Sequence, residues 1–414
     1  MTLQEKIERA NEEAVKCITD AEPYWVDVLP AGECLENFKE NTILHSGPPI
    51  AYENMCGLHK RGMINAVLFE GWAKTPQDAE KLILAGKVNI DSAFNYNTVG
   101  SGTGIVTKSV PLLVAEDKRT GKRAGVFPAE GKFGGGFCGW GVYSQAIAEN
   151  LRYMREELFS DIRKILKETG GIALKSIIAK GLEMGDENHS SQTAVDLLFL
   201  KAILPYALKC KNYEELILYF VNTGRFFHNF GQAASRCGII SADGIPYSGM
   251  VTAAGGNGVE YGIKVAGLGD QWFTAPSPMI EGTYMTPGSK REDQLPWIGD
   301  SSIVECAGLG GIVSAASPVV CSFRGDKLED SIKTTRDMEK ISITKNKSYR
   351  IPNLDFDNPP AGIDILKVAE TGILPVIDGG MINRDGGWMG AGCARIPMEC
   401  FEKAAKAFWA KYGG

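Results

Sequence analysis

The sequence is poor in the side chains that most enzyme signatures need. It has four histidines in 414 residues, and its ten cysteines form no C-x-x-C pair and no zinc-ligand spacing. Those cysteines read as buried thiols of a reducing compartment. No G-x-x-x-x-G-K-[ST] loop, H-E-x-x-H helix or G-x-S-x-G elbow occurs, which removes the familiar nucleotide, zinc-protease and serine-hydrolase sites. No apolar run approaches the roughly 18 residues of a membrane span. The opening LQEKIERANEEAVKCI is a charged amphipathic helix without the apolar centre of a signal peptide. A net charge of −6 and a pI near 5.5 leave no basic face for nucleic acid or an anionic membrane. The expectation is a cytoplasmic protein that binds neither nucleic acid nor membrane.

A chain of this length exceeds one hydrophobic core and divides into roughly two to four domains. The fold class reads as α/β and α+β, in three parts. Residues 1–95 form an N-terminal βαβ-like module: PYWVDVLPA and INAVLFEGWA read as strands, and TPQDAEKLILAGKV as a helix capped by Thr75 with Pro76 at its first position. Residues 141–235 form a helical insert. It has one long amphipathic helix through Val142, Leu151, Leu158 and Ile165, then KSIIAKGLEMG, then TAVDLLFLKAILPYAL broken near Pro205, and a last helix across NYEELILYFVNTGRFFHNFGQAASRCG. Residues 96–140 and 236–414 make mixed α+β, glycine-rich modules that carry the site.

Residues 249–311 are dense in glycine and studded with Asn257, Glu260, Asp270, Trp272, Asp300 and Glu305. Glycine loses the most backbone freedom on folding, so such density marks tight turns or backbone brought close to a ligand. Gly100, Gly102 and Gly104 form a flexible loop, and Gly256 and Gly258 flank Asn257; both can present amides to an oxyanion or phosphate. The run Gly134–Gly139 matches G-x-G-x-x-G and opens a helix. A second helix follows it where a dinucleotide fold needs a strand ending in an acid, so no Rossmann cofactor site is expected. The available chemistry rests on carboxylates, namely Glu70, Glu130, Glu260, Asp270, Asp300, Glu305, Asp364 and Asp378. With them stands His189, in the polar, mobile turn GDENHSSQ, as a candidate general base. The alternative for that turn is helix capping by Asp186 or Ser190. Oxygen ligands of this kind also suit a divalent cation; the expectation is no metal and no cofactor.

The pieces LHSGPPIAYENMCG, FEGWAKTPQDAEKL, NTVGSGTGIVTKSVPL, GDENH, NGVEYGIKVAGLGDQWFTAP, GDSSIVECAGLGG, NPPAGIDILKVAETGILPVIDGG and GAGCARIPMECFEKA span almost the whole chain. In content and order they resemble the bacterial AllG, or YlbE-like, family. The resemblance implies several α/β and α+β modules with a small helical insert. It also implies a partner, because relatives resemble one subunit of a heteromeric oxamate carbamoyltransferase of purine degradation, working with an FdrA-like subunit and a third protein. That system interconverts oxalurate and phosphate with oxamate and carbamoyl phosphate. Where relatives carry histidines, this chain reads FNYNTVGSGTG and DGGMIN, the latter gaining Asp378; where they carry R-N-G it reads GNG, and its GDENH turn keeps His189 but puts serine for the basic residue. An arginine fork is not replaced by a glycine amide, so the chain reads as a divergent paralogue.

The expected function is therefore a subunit of a heteromeric enzyme of small nitrogen-compound metabolism, transferring a carbamoyl or acyl group on a small carboxylate or amide. Glu260 or His189 would move protons, Asp300 and Glu305 would orient the reactants, and the glycine loops with Glu70, Glu130, Asp270, Trp272 and Asp378 would contact substrate. Two alternatives stay open: a non-catalytic scaffold or binding subunit for an FdrA-like partner, and a stand-alone hydrolase or lyase built on paired carboxylates. Each fits a homo- or hetero-oligomer.

Overall fold

The computed structural model describes all residues, Met1–Gly414. Its architecture is mixed α/β and α+β, built on several separate sheets. The N-terminal part holds a parallel pair, Thr42–His45 beside Asn89–Ser92, with the helices Gly57–Phe69 and Pro76–Leu84 in the crossover between them. Parallel strands need such a crossover. Thr75 caps the second of these helices, its hydroxyl accepting from the Asp78 N–H. INAVLFEGWA is not a strand: most of it completes the helix Gly57–Phe69. Leu58, His59, Met63, Ala66 and Val67 are buried there. The apolar run is a buried helix face, which a period-2 reading of a short hydrophobic stretch does not distinguish.

A five-stranded sheet has the order Thr98–Val99, Arg123–Val126, Pro111–Asp117, Pro23–Pro30, Ile172–Ala173. It draws its strands from both sides of residues 95 and 140, so the first module, the glycine-rich part and the insert share one sheet. The helix Phe227–Ile239, buried along nearly its whole length, packs across this sheet. The later chain forms a four-stranded sheet (Phe273–Pro276, Glu260–Val265, Val251–Asn257, Ile298–Gly299) and a three-stranded one (Glu281–Tyr284, Trp388–Arg395, Val376–Ile382). The C-terminal helix Met398–Tyr412 lies against the first of these.

The helical insert departs from the pattern in three places. The long helix through Val142 and Ile165 is two, Gln145–Tyr153 and Ser160–Thr169, joined by a π-turn at Met154–Leu158 that rephases the buried face. The helix Thr193–Ala207 runs through Pro205 without breaking there. NYEELILYFVNTGRFFHNFGQAASRCG is two helices, Tyr213–Asn222 and Phe227–Ile239. Gly224 and Arg225 interrupt it, and Arg225 has φ of 61°, a left-handed conformation that no helix tolerates. Asp196 holds this break by accepting from the N–H groups of Arg225 (3.0 Å) and Phe227 (2.9 Å).

Candidate functional site

The turn after the helix Lys175–Glu183 directs His189 inward. Asp186 caps the next helix, accepting from the Val195 N–H at 2.9 Å and the Ser191 hydroxyl at 2.8 Å. Glu187 Oε1 accepts from the N–H groups of His189 (3.0 Å), Ser190 and Ser191 (2.8 Å). The turn is thus tied at every step, and His189 is 1% exposed, so the segment is neither mobile nor solvated. Its Nδ1 lies 2.7 Å from Glu305 Oε1 and 3.1 Å from Asp378 Oδ1. Both carboxylates are fully buried.

Glu305 comes from the short helix Ile303–Cys306, and Asp378 from the strand Val376–Ile382. The N–H groups of Gly311 (3.0 Å) and Asp378 (3.2 Å) also donate to Glu305 Oε1. A ring nitrogen carries one proton, and the shorter distance assigns it to Glu305. Asp378 is left without a donor on either oxygen. Burial alone would lower the His189 pKa, but the Glu305 and Asp378 carboxylates outweigh it and raise it to about 10. Burial pushes Glu187 up to about 8 and Asp378 up to about 6.

His189 opens on a cavity of about 240 Å³. Ser101, Gly102, Trp140, Arg225, His228, Asn229, Trp297, Ser301, Gly379 and Trp388 are among the residues around it. His228 stacks on His189 with ring centroids 5.3 Å apart. The Gln192 amide donates at 2.8 Å both to the His189 carbonyl and to His228 Nδ1. The carbonyl fixes that amide's orientation, so His228 Nδ1 is an acceptor and its ring is neutral. Burial agrees, holding the His228 pKa well below its ordinary value, with the His189 charge adding to the effect. The Arg225 guanidinium donates to the His189 carbonyl at 3.0 Å, at the cavity wall. Two cationic groups, Arg225 and His189, therefore face one small space framed by three tryptophans. Three larger clefts, of about 810, 720 and 410 Å³, open elsewhere and contain no histidine.

A family model described as "Oxamate carbamoyltransferase subunit AllG" matches residues 88–301. The chain is 34% identical over 410 residues to oxamate carbamoyltransferase subunit AllG of Escherichia coli K12, covering 97% of each. The chain belongs to the AllG family. It is also 33% identical to the uncharacterized protein YahG of the same organism, over 99% of this chain and 88% of that one. A crystal structure of a conserved protein of unknown function from Enterococcus faecalis V583 superposes with a TM-score of 0.91 at 32% identity, covering 99% of both chains.

Among the expected site residues, this AllG-family fold brings together His189, Glu305, Asp378 and the Gly100–Gly104 loop. Gly102 lines the cavity at φ of 60°, where a Cβ would stand 2.1 Å from the Gly139 carbonyl oxygen. Gly100 and Gly104 pack on each other behind it. Asp300 lies beneath the loop, accepting from the N–H groups of Gly47 (2.6 Å) and Gly100 (3.1 Å), and burial raises its pKa to about 8. The remaining residues stand apart. Gly256, Asn257 and Gly258 close a hairpin, with Asn257 accepting from the Val259 and Glu260 N–H groups and donating to the Pro48 carbonyl. Glu260 pairs with the Thr274 hydroxyl at 3.3 Å outside the cavity. Asp270 is an exposed partner of Lys264, Trp272 packs beside Phe94, and Glu70 holds the Ser109 N–H and hydroxyl. Asp364 caps the helix Ile365–Thr371.

Glu130 is buried under the Gly134–Gly139 loop, where its Oε1 accepts from the Cys138 N–H at 2.8 Å. Burial raises its pKa to about 7. A raised carboxyl keeps its proton in the folded chain while the unfolded chain loses it from about pH 4.3. Its contribution to stability is present below that value and is lost as pH rises to 7. Glu130→Gln is therefore expected to flatten the fall in melting temperature between pH 4.5 and 7; an unchanged profile would refute this.

Proposed function

We propose that this chain is the substrate-holding subunit of a heteromeric enzyme that transfers a carbamoyl or acyl group on a small carboxylate- or amide-containing nitrogen compound. The observation that carries the reading is the meeting of Arg225 and His189 over one small, half-open cavity. Its relatedness to a subunit named for oxamate carbamoyltransferase supports the reaction class. A cavity of about 240 Å³ suits a small substrate.

In this reading the planar Arg225 fork takes the substrate carboxylate. Nδ1 of His189 is engaged by Glu305, so Nε2–H is the face offered to the cavity. It donates to the carbonyl oxygen that gains charge as the transferred group is attacked. A ring held protonated by two carboxylates serves as a donor and general acid rather than as a base. Neutral His228, stacked alongside, is the group able to accept a proton. The aromatic walls exclude competing water. An FdrA-like partner would complete the enzyme.

The test is to purify the chain with its co-expressed FdrA-like partner and assay oxalurate phosphorolysis. A fixed-ratio complex that forms carbamoyl phosphate and oxamate is the expected result. An active partner that neither binds this chain nor needs it would overturn the proposal. Within the active complex, Arg225→Ala is expected to raise KM roughly 10- to 100-fold, the worth of one charged hydrogen bond, with Arg225→Lys recovering part of the loss. An unaltered KM in both variants would remove Arg225 from substrate binding.

A further inference from the structure

Carboxylate oxygens behind the cavity outnumber the donors that face them. Glu187 Oε2, Glu305 Oε2 and both oxygens of Asp378 are buried without a hydrogen-bond partner. Lone buried carboxylates of this kind are costly unless paired or bound to a cation. Backbone N–H groups serve only Glu187 Oε1 and Glu305 Oε1, and the one imidazole proton is also committed to Glu305 Oε1.

The donor atoms also converge. One atom each from His189, Glu305 and Asp378 lies within 4.8 Å of the others. His189 Nδ1 stands 2.7 and 3.1 Å from its two carboxylate neighbours. Ligands bonded at about 2.1 Å to one ion stand about 3.0 Å apart when adjacent in an octahedron and about 3.4 Å apart in a tetrahedron. The two spacings from Nδ1 lie on the octahedral side. The supports around the cluster are those of a held ligand set: two backbone N–H groups fix Glu305, and Gln192 and Arg225 fix the His189 carbonyl.

We propose that His189 Nδ1, Glu305 and Asp378 bind one divalent transition-metal ion of the Mn²⁺ or Fe²⁺ class. An imidazole nitrogen in the set favours such an ion over Mg²⁺ or Ca²⁺, and the absence of thiolate fits an octahedral ion. The ion would take the place of the Nδ1 proton, which leaves the cluster on binding. Nε2–H would still face the cavity as a hydrogen-bond donor, with the ion's charge in place of the lost proton's and the general-acid role confined to the metal-free state. The site is argued from the cluster behind the cavity and does not depend on the transferase role.

The experiment uses the full chain without a polyhistidine tag, stripped with chelator and dialysed against Mn²⁺, Co²⁺ or Mg²⁺. Bound metal per chain is counted by mass spectrometry, and thermal melting is followed in parallel. One Mn²⁺ or Co²⁺ per chain is expected, with a rise in melting temperature that equal Mg²⁺ does not produce. Asp378→Asn and Glu305→Gln, close in size to the native residues, should each weaken Mn²⁺ binding by roughly 100-fold; Asp270→Asn, on the exposed surface, should leave it unchanged. Failure of wild-type chain to bind either transition ion would overturn the site whether or not the variants fold. So would binding that survives both cluster substitutions. Metal binding and oxalurate phosphorolysis are read separately, so either proposal can fail while the other stands.

Discussion

His189→Ala is expected to lower kcat of the assembled enzyme roughly 10²- to 10⁴-fold, the range for losing a positioned acid–base group. It should also cost about 3–5 kcal/mol of stability, because removing one partner of a buried ion pair strands the other. Here two carboxylates, Glu305 and Asp378, are stranded together. Stranded carboxylates relieve the cost by taking up protons, so the variant should be far closer to wild type at pH 5 than at pH 8. Denaturant melts at both pH values measure this. A loss of stability equal at both would mean that the imidazole is merely filling space. A variant with wild-type kcat would exclude His189 from the chemistry.

Gly310→Ala should produce the second large effect. Gly310 has φ of 57°, and an added Cβ would stand 2.2 Å from Glu305 Oε1 and 3.1 Å from His189 Cβ. Left-handed strain on an alanine adds about 1–2 kcal/mol and overpacking a further 1–3 kcal/mol. The larger consequence is chemical, since Glu305 must swing away from the imidazole. Gly325→Ala is the control: its φ is 69°, with nothing within 4 Å of the added carbon, so it carries the strain alone. The difference in unfolding free energy between the two variants isolates the collision. Equal losses would show that Glu305 yields freely and is not held in place.

The sequence was most informative where chemistry and local pattern coincide. His189 and Glu305 are few in kind or embedded in glycine, and Asp378 follows a strand-forming run, so residue type alone marked them. Their convergence was not legible, because 116 residues separate His189 from Glu305 and only tertiary packing joins them. Arg225 and His228 were hidden for a local reason. Apolar periodicity carries on across NTGRFF, and it outweighed the Thr-Gly pair that ends one helix and starts another. A breaker inside an apolar run was the available signal. Asp270 and Glu260 drew attention for the opposite reason: glycine neighbours suggested a ligand loop, whereas Gly255 and Gly256 serve the close approach of Asp300 and Trp297.

The cavity is walled by residues from Ser101 to Trp388, and the buried Asn11–Asp364 hydrogen bond, 2.9 Å long, spans 353 positions. At a synthesis rate of ~5–20 residues per second, roughly 20–75 s pass before the last wall strand has been made. Through that interval the helical insert and the five-stranded sheet can already fold, while His189 lacks Glu305 until residue 305 is made and lacks Asp378 to the end. A ribosome stalled shortly before residue 376 would therefore display a folded-looking nascent chain that has no site, and any partner that recognises the cavity must wait for nearly the whole message to be read.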